Sequence, residues 1–252
     1  MSDVVAFADG GYRYLKGAMP FSSGVAAEPG FAIERARLTR PLPLLDGFAA
    51  VETHLRSLGR PNVALCGMEL RSPVPFTAET FQAFNVQYVK VLESWGLYRD
   101  GQNPVARTNV VPAFEPPPVP SLYAFSYTVA ARLGTPRSFV TAGGGELRRD
   151  AAPNEDRIVA RGDTSPAGLT AKMRHVMAEM ERRLAALGFA WKDALETSAY
   201  TVFQIGPLVE AEIVRRGATA GGLTWHFCRP PVVGTDYEMD VRSAAATRKL
   251  EV

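Results

Sequence analysis

The sequence predicts an α+β protein built from two tandem units. Three observations carry this reading. Strand-like and helix-like periodicities follow one another in the order β-β-α-β-α-β-β; that order occurs twice; and a short break at Gly134, Thr135 and Pro136 separates the two rounds. The boundary therefore falls near 132–137, giving one domain over residues 1–133 and a second over 134–252.

In the first round, residues 12–25 and 31–38 read as short strands. Residues 45–58 form a helix, with Phe48, Val51, Leu55 and Leu58 on one face and Gly59 as its stop signal. Residues 61–71 alternate around Val63, Leu65 and Leu70, which suits a strand. A second helix is capped by Thr77 and carries Phe81, Phe84, Tyr88 and Leu92 at helical spacing before Gly96. Residues 107–114 and 122–131 are strands joined by a proline-rich loop, since proline removes the backbone donors that a central strand needs.

In the second round, residues 139–142 and 157–161 read as strands around the polar stretch 148–156. A long helix follows, capped at Thr164 or Ser165, with Leu169, Met173, Val176, Met177, Met180, Leu184 and Leu187 on its core face. Residues 193–203 then form a strand and 207–216 a short helix. Strands at 223–228 and 237–243 close the round. The run Gly143-Gly144-Gly145 lacks the lysine and the strand-to-helix setting of a phosphate loop and reads as a turn.

Composition excludes several classes. The chain has 252 residues, 46% of them hydrophobic and 21% charged, enough to bury one large core or two modest ones. A net charge of +2 drawn from interspersed charges leaves no electrostatic stripe for nucleic acid. Apolar runs fall short of the roughly 20 residues that cross a bilayer, so no membrane association and a cytoplasmic location are expected. Cys66 and Cys228 stand in no metal-ligand spacing and read as small buried hydrophobes.

Two motifs stand out in the first half: Phe84-Asn85-Val86-Gln87-Tyr88 on the second helix, and Pro104-Val105-Ala106-Arg107-Thr108-Asn109-Val110 at a strand start. They resemble the Asn-x-x-Tyr helix and Pro-x-Arg-x-x-Val strand of the RidA (YjgF/YER057c/UK114) family. Phe21-Ser22-Ser23-Gly24-Val25 is similar to the Ser-Gly-Gln segment of the same family's cleft. In the second half, 184–188 with 191–200 resembles the family's helix-to-strand joint, and Tyr237-Glu238-Met239-Asp240-Val241 its last strand, which often carries a glutamate that holds a catalytic water.

The halves depart from the pattern in complementary ways. The second has Ala220-Gly221-Gly222-Leu223-Thr224-Trp225 where the arginine would stand and lacks the Asn-x-x-Tyr helix; the first has aromatic or small residues in its last strand. Either the site is composite, or each half has been repurposed.

The resemblance implies RidA-like (chorismate-mutase-like) domains, each a mixed sheet with two helices packed on one face. It also implies chemistry without metal or organic cofactor, and a homotrimer with ligand clefts between neighbouring units; a monomer or dimer with its halves packed together is the alternative. Enamine or imine hydrolysis to a carbonyl compound and ammonia is the implied reaction. The substrate is then a small carboxylated amino compound, with an aminomuconate-like intermediate preferred over 2-aminoacrylate because of the aromatic residues in the first half. A metabolite-binding protein without catalysis is the alternative; a ribonuclease is disfavoured by the near-neutral charge.

Within that frame Arg107 is the candidate anchor, because a guanidinium offers a carboxylate a planar, two-pronged, permanent charge. Glu69 and Glu238 are the candidate water-activating carboxylates. Glu69 interrupts an apolar strand and needs solvent, a cleft or a cation such as Arg71, so a structural ion pair is its other reading. Glu238 and Asp240 share one strand face, functional or simply solvated. Phe21, Ser23, Asn85, Arg71, Asn109 and Tyr127 are the candidate substrate contacts. Tyr123 with Tyr127 and Phe21 can wall a pocket for a planar ligand or fill the core. His54 and His175 are expected on solvated helix faces, and His226 toward a cleft.

Overall fold

The computed structural model describes residues 3–149, 151–152 and 155–252, so part of the polar 148–156 stretch lies outside it. In chain order the elements are β1 (Val4–Phe7), β2 (Tyr12–Leu15), β3 (Gly24–Ala27), β4 (Phe31–Pro43), α1 (Leu44–Ser57), β5 (Leu65–Arg71), α2 (Ala78–Ser94), β6 (Ala106–Pro112) and β7 (Ser121–Ala130). There follow β8 (Phe139–Thr141), β9 (Gly144–Gly145), α3 (Pro166–Leu187), β10 (Glu196–Tyr200), α4 (Gly206–Glu212), β11 (Leu223–His226), β12 (Cys228–Arg229), β13 (Glu238–Ser243) and β14 (Ala246–Leu250).

On the two longest helices, α2 and α3, apolar spacing and side-chain caps coincide. On α2, Thr77 accepts from the Thr80 N–H while the Thr80 hydroxyl accepts from the Thr77 N–H, a reciprocal capping box. On α3, Ser165 caps Gly168, proline occupies the first turn, and Gly188 ends the helix in the left-handed conformation. Each helix buries its apolar stripe against a sheet. One core joins α1 and α2 to β4, β5 and β7, and a second joins α3 and α4 to β10 and β13.

The α+β class with two mixed sheets is as the sequence predicts, but the strands do not sort at the 133/134 boundary. One sheet runs β1-β2-β3-β8-β13-β10-β11 with β9 on β13, and the other runs β12-β6-β5-β7-β4-β14. The first three strands of the chain thus belong to the sheet of the second half, while β12 and β14 cross back. β14 lies parallel to β4, with Arg248 paired bidentately to Glu34. Its sequence, Ala-Thr-Arg-Lys-Leu, has too little apolar alternation to be legible as a strand.

Four further local expectations change. Residues 12–25 form two strands, because the loop between them doubles back so tightly that a Cβ on Gly17 would lie 2.3 Å from the Phe21 carbonyl oxygen. Residues 157–161 form no extended strand; Ile158 makes an isolated bridge to Leu147. The glycine run supplies β9, paired with Glu238 and Met239 of β13. His54 and His175 are half-buried rather than solvated: His54 packs against the Phe125 and Tyr127 rings, and His175 bonds to the Leu147 carbonyl. Among the described residues no helix is long and apolar enough to cross a membrane.

The sheets face one another across a seam that is apolar at one end. There Tyr12, Val25 and Val140 meet Ile33, Cys66 and Ala106, and the Tyr12 hydroxyl donates to the Leu65 carbonyl across the gap at 2.9 Å. Because strands are exchanged, each half alone would leave sheet edges and one face of this seam bare. We expect residues 1–133 or 134–252, expressed separately, to show no cooperative thermal transition by circular dichroism, and the two co-expressed to recover one.

Candidate active site

The site is built from the start of β6 outward. Just before it, the Asn103 side chain donates to the Pro20 carbonyl at 2.8 Å and accepts from the Val105 N–H at 3.0 Å. Ser22 adds two bonds, its N–H to the Val105 carbonyl at 2.9 Å and its hydroxyl to the Pro104 carbonyl at 3.0 Å. This stitching satisfies buried backbone groups and lays the loop after β2 along β6. Phe21 is thereby set over the Arg107 guanidinium, 4.7 Å from it.

Arg107 is 3% exposed and boxed in by rings. Tyr88 lies at 4.7 Å, Phe84 at 5.5 Å and Phe81 at 5.6 Å, all on the face that α2 turns toward β6. Burial pulls the guanidinium down to about 10, which still leaves it charged at neutral pH. Neither terminal nitrogen has a hydrogen-bond partner among the described residues. Asn85 Oδ1, the Tyr88 hydroxyl and Asn109 Nδ2 are likewise buried without partners, while Asn109 Oδ1 accepts from the Ser72 hydroxyl at 2.9 Å. Ring faces soften the cost of a buried cation but do not fill its hydrogen bonds, so the donors Arg107, Asn109 Nδ2 and the Tyr88 hydroxyl suit an anion with oxygen acceptors, while Asn85 Oδ1 suits an N–H or O–H donor.

The opposite wall comes from the second half. A cavity of about 100 Å³ is lined by Phe21, Phe81, Arg107 and Asn109 on one side and by Gly143, Leu147, Val232 and Glu238 on the other. The Gly143 N–H donates to the Arg107 carbonyl at 3.1 Å, joining the walls through the backbone. A Cβ at Gly143 would lie 2.0 Å from Glu238 Oε1, and one at Gly144 would lie 2.6 Å from the Met180 methyl. Gly143 and Gly144 are therefore required by close approach, not by turn geometry.

Glu238 is 4% exposed; burial, reinforced by the nearby carboxylates of Asp240 and Glu146, pushes its carboxyl well above the ordinary range. Its strand is aimed from behind. Arg183 donates to the Ala142 carbonyl at 2.8 Å, and Glu146 accepts from the backbone N–H groups of Asp236 at 2.5 Å and Tyr237 at 3.1 Å. Lys172, wholly buried on α3, pairs with Asp236. None of Arg183, Glu146 or Lys172 was legible as part of the site, since their partners are backbone groups or lie far away in sequence.

The remaining candidates lie elsewhere. Glu69 does not reach the Arg107 cavity. Arg35 grips it with two bonds, at 2.6 and 2.8 Å, and Arg242 adds a third at 2.6 Å. Burial alone would raise its carboxyl, but Arg242 and Arg35 hold it far below the usual range, a poor condition for a base. The expected partner, Arg71, instead donates to the Leu70 carbonyl and stacks on Tyr123. Tyr127 lies in the first core with its hydroxyl on Glu34, and the Ser23 hydroxyl is spent on the Lys16 carbonyl. Asp240 is wholly buried, bonded to Arg242, Thr108 and Tyr200, so the Glu238–Asp240 face is not solvated.

The geometry thus unites a buried cation from one half with a proton-holding carboxyl from the other. The family described as 2-aminomuconate deaminase CnbZ matches residues 4–248. A 2-amino-5-chloromuconate deaminase from Comamonas testosteroni is 55% identical over 245 residues, covering 97% of this chain and 98% of that protein. Among solved structures, a chorismatase is similar in fold, with a TM-score of 0.53, 14% identity, and coverage of 91% of this chain and 79% of that one. The YjgF gene product of E. coli aligns with 45% of this chain and 84% of its own length at 16% identity and a TM-score of 0.31.

Two substitutions separate the site from its scaffold. Gly143→Ala forces the Glu238 carboxyl to move and should cost about 1–3 kcal/mol, read as a lowered urea midpoint at unchanged slope. Glu69→Ala leaves the buried Arg35 without its carboxylate and takes one of two from Arg242, and should cost about 3–5 kcal/mol. Because the folded Glu69 carboxyl is depressed, its contribution is fully present above the unfolded value near pH 4.3 and is lost as pH falls below it. Glu69→Gln should accordingly flatten the acid side of the stability profile; an unchanged acid slope would contradict the ion-pair assignment.

Proposed function

We propose, from the premise that the chain belongs to the 2-aminomuconate deaminase CnbZ family, that it deaminates an aminomuconate-like dicarboxylate in the cavity between Arg107 and Glu238. The protein is an enzyme acting on a C–N bond. The observation that carries the site assignment is the buried Arg107, whose two terminal nitrogens lack partners among the described residues and which lines one cavity with a carboxyl that burial pushes well above its ordinary range.

In this reading Arg107 forks one carboxylate of the substrate, Asn109 Nδ2 and the Tyr88 hydroxyl donate to its remaining oxygens, and Asn85 Oδ1 accepts from the substrate amino group. Phe21, Phe81 and Phe84 exclude water and flank the planar conjugated chain. The substrate is an enamine. Glu238 delivers its proton to the carbon next to the one bearing nitrogen, the double bond shifts, and an imine forms. Water then adds to the imine carbon while the Glu238 carboxylate takes a proton from it. Collapse of the adduct expels ammonia and leaves the 2-oxo acid, so one water is consumed and one carboxyl is restored. Imines are already electrophilic, so positioning plus one acid/base group is sufficient chemistry.

This site uses both halves of one chain and deepens the resemblance to the RidA family into a composite arrangement. We retain a homotrimer as the proposed assembly, although the walls of this cavity need no neighbouring chain.

The test is ammonia release from enzymatically generated 2-aminomuconate, with 2-aminoacrylate in parallel. Turnover of the first and little of the second is expected; failure to turn over 2-aminomuconate contradicts the reading. Arg107→Ala should lower kcat/KM by on the order of a hundredfold or more, and Lys should rescue it poorly because it cannot fork a carboxylate. Glu238→Gln should lower kcat by about 10²–10⁴. Since the raised Glu238 carboxyl must hold its proton to act, kcat should fall as pH rises through its folded value, and Glu238→Gln should abolish that limb.

A further inference from the structure

A second cavity, of about 310 Å³, opens between the inner faces of the two sheets and shares no lining residue with the Arg107 cavity. Four arginines line it. Two are matched: Arg35 and Arg242 divide Glu69 and Asp240 between them. The other two, Arg71 and Arg37, have no carboxylate at ion-pair distance among the described residues. Arg71 is 6% exposed, lies 4.1 Å from the Tyr123 ring centroid, and spends Nη1 on the adjacent Leu70 carbonyl. Arg37 approaches the same ring from the solvent side, at 5.7 Å.

A second, independent sign comes from Arg242. It is 2% exposed, lines this groove, and its Nε has no hydrogen-bond partner among the described residues. The remaining acid on the wall is the partly exposed Glu196, whose carboxylate stands 4.0 Å from Arg242 Nη1. Two unmatched cations against one carboxylate leave a surplus of one positive charge, and a buried cation left without an anion is costly. The cation–π contact holds the Arg71 guanidinium over the Tyr123 ring and uses none of its N–H groups beyond the one given to Leu70, so the guanidinium keeps capacity to receive a carboxylate.

We propose that this groove is a second, non-catalytic binding site for a small carboxylate, clamped by Arg71 on its Tyr123 platform and closed from the solvent side by Arg37. The surplus calls for an anion, and the planar fork of a guanidinium matches the two coplanar oxygens of a carboxylate better than a tetrahedral phosphate, which favours the carboxylate class. The proposal stands apart from the deaminase reading, since it involves none of the residues of the Arg107 cavity.

The probe is adipate, a saturated dicarboxylate with no enamine to hydrolyse, titrated calorimetrically into full-length Arg107→Ala so that the first anchor is absent. One adipate per chain is expected, with affinity falling as salt rises. Adding Arg71→Gln should weaken binding at least tenfold. Adding Arg37→Ala, an exposed position that leaves the buried network intact, should weaken it several-fold. Absence of adipate binding to Arg107→Ala, or binding unmoved by both added substitutions, overturns the site. Inorganic phosphate binding more tightly than adipate overturns the carboxylate assignment.

Discussion

The buried ionic network between the sheets is the constraint on which the rest of the structure depends. Glu69 on β5 is gripped by Arg35 on β4 and by Arg242 on β13, and Arg242 reaches on to Asp240, which also receives Thr108 of β6 and Tyr200 of β10. Four of these six residues would be expensive to bury singly; together they are satisfied at nearly every polar atom. The network also registers one sheet against the other. Glu238 lies two residues before Asp240 on the same face, so fixing Asp240 against β6 carries Glu238 to the cavity that begins one residue along β6, at Arg107.

The same chemistry has opposite consequences on the two strands. Glu69 and Glu238 are both buried glutamates, yet two guanidinium groups hold the carboxyl of the first far below the usual range, while burial, reinforced by neighbouring carboxylates, pushes that of the second well above it. The split separates a structural carboxylate from a proton-carrying one. Arg107 is the converse: a cation surrounded by rings instead of acids, whose hydrogen-bonding capacity is left for an incoming anion. Gly143 makes the meeting possible, because only a residue without a Cβ lets the Glu238 carboxyl come so close to the strand that bonds Arg107.

The exchanged strands explain why one composite cavity forms. β1–β3 complete the second sheet, and β12 and β14 complete the first, so neither half encloses a seam by itself. The loop after β2, which carries Phe21, is stitched to β6 by Ser22 and Asn103 and arrives at the site from that exchange. The likeness in fold to a chorismatase spans 91% of this chain and so takes in strands of both halves.

By itself the sequence determined what is written in local periodicity and short motifs. The helices follow from apolar spacing, helped by caps on α2 and α3, the α+β class from the order of elements, and Arg107, Asn85, Phe21 and Glu238 were distinguished as residue types in a recognisable local setting. Tertiary structure alone decided which charges meet. Whether Glu69 was a base or half of an ion pair depended on Arg35, 34 residues away, and Arg242, 173 residues away, and no spacing rule links them. The pairing of β14 with β4, the role of the glycine run and the backbone clamps of Glu146 and Arg183 were hidden for the same reason. Helix signals repeat every few residues, whereas strand exchange and charge pairing are set by contacts between segments whose separation along the chain carries no pattern.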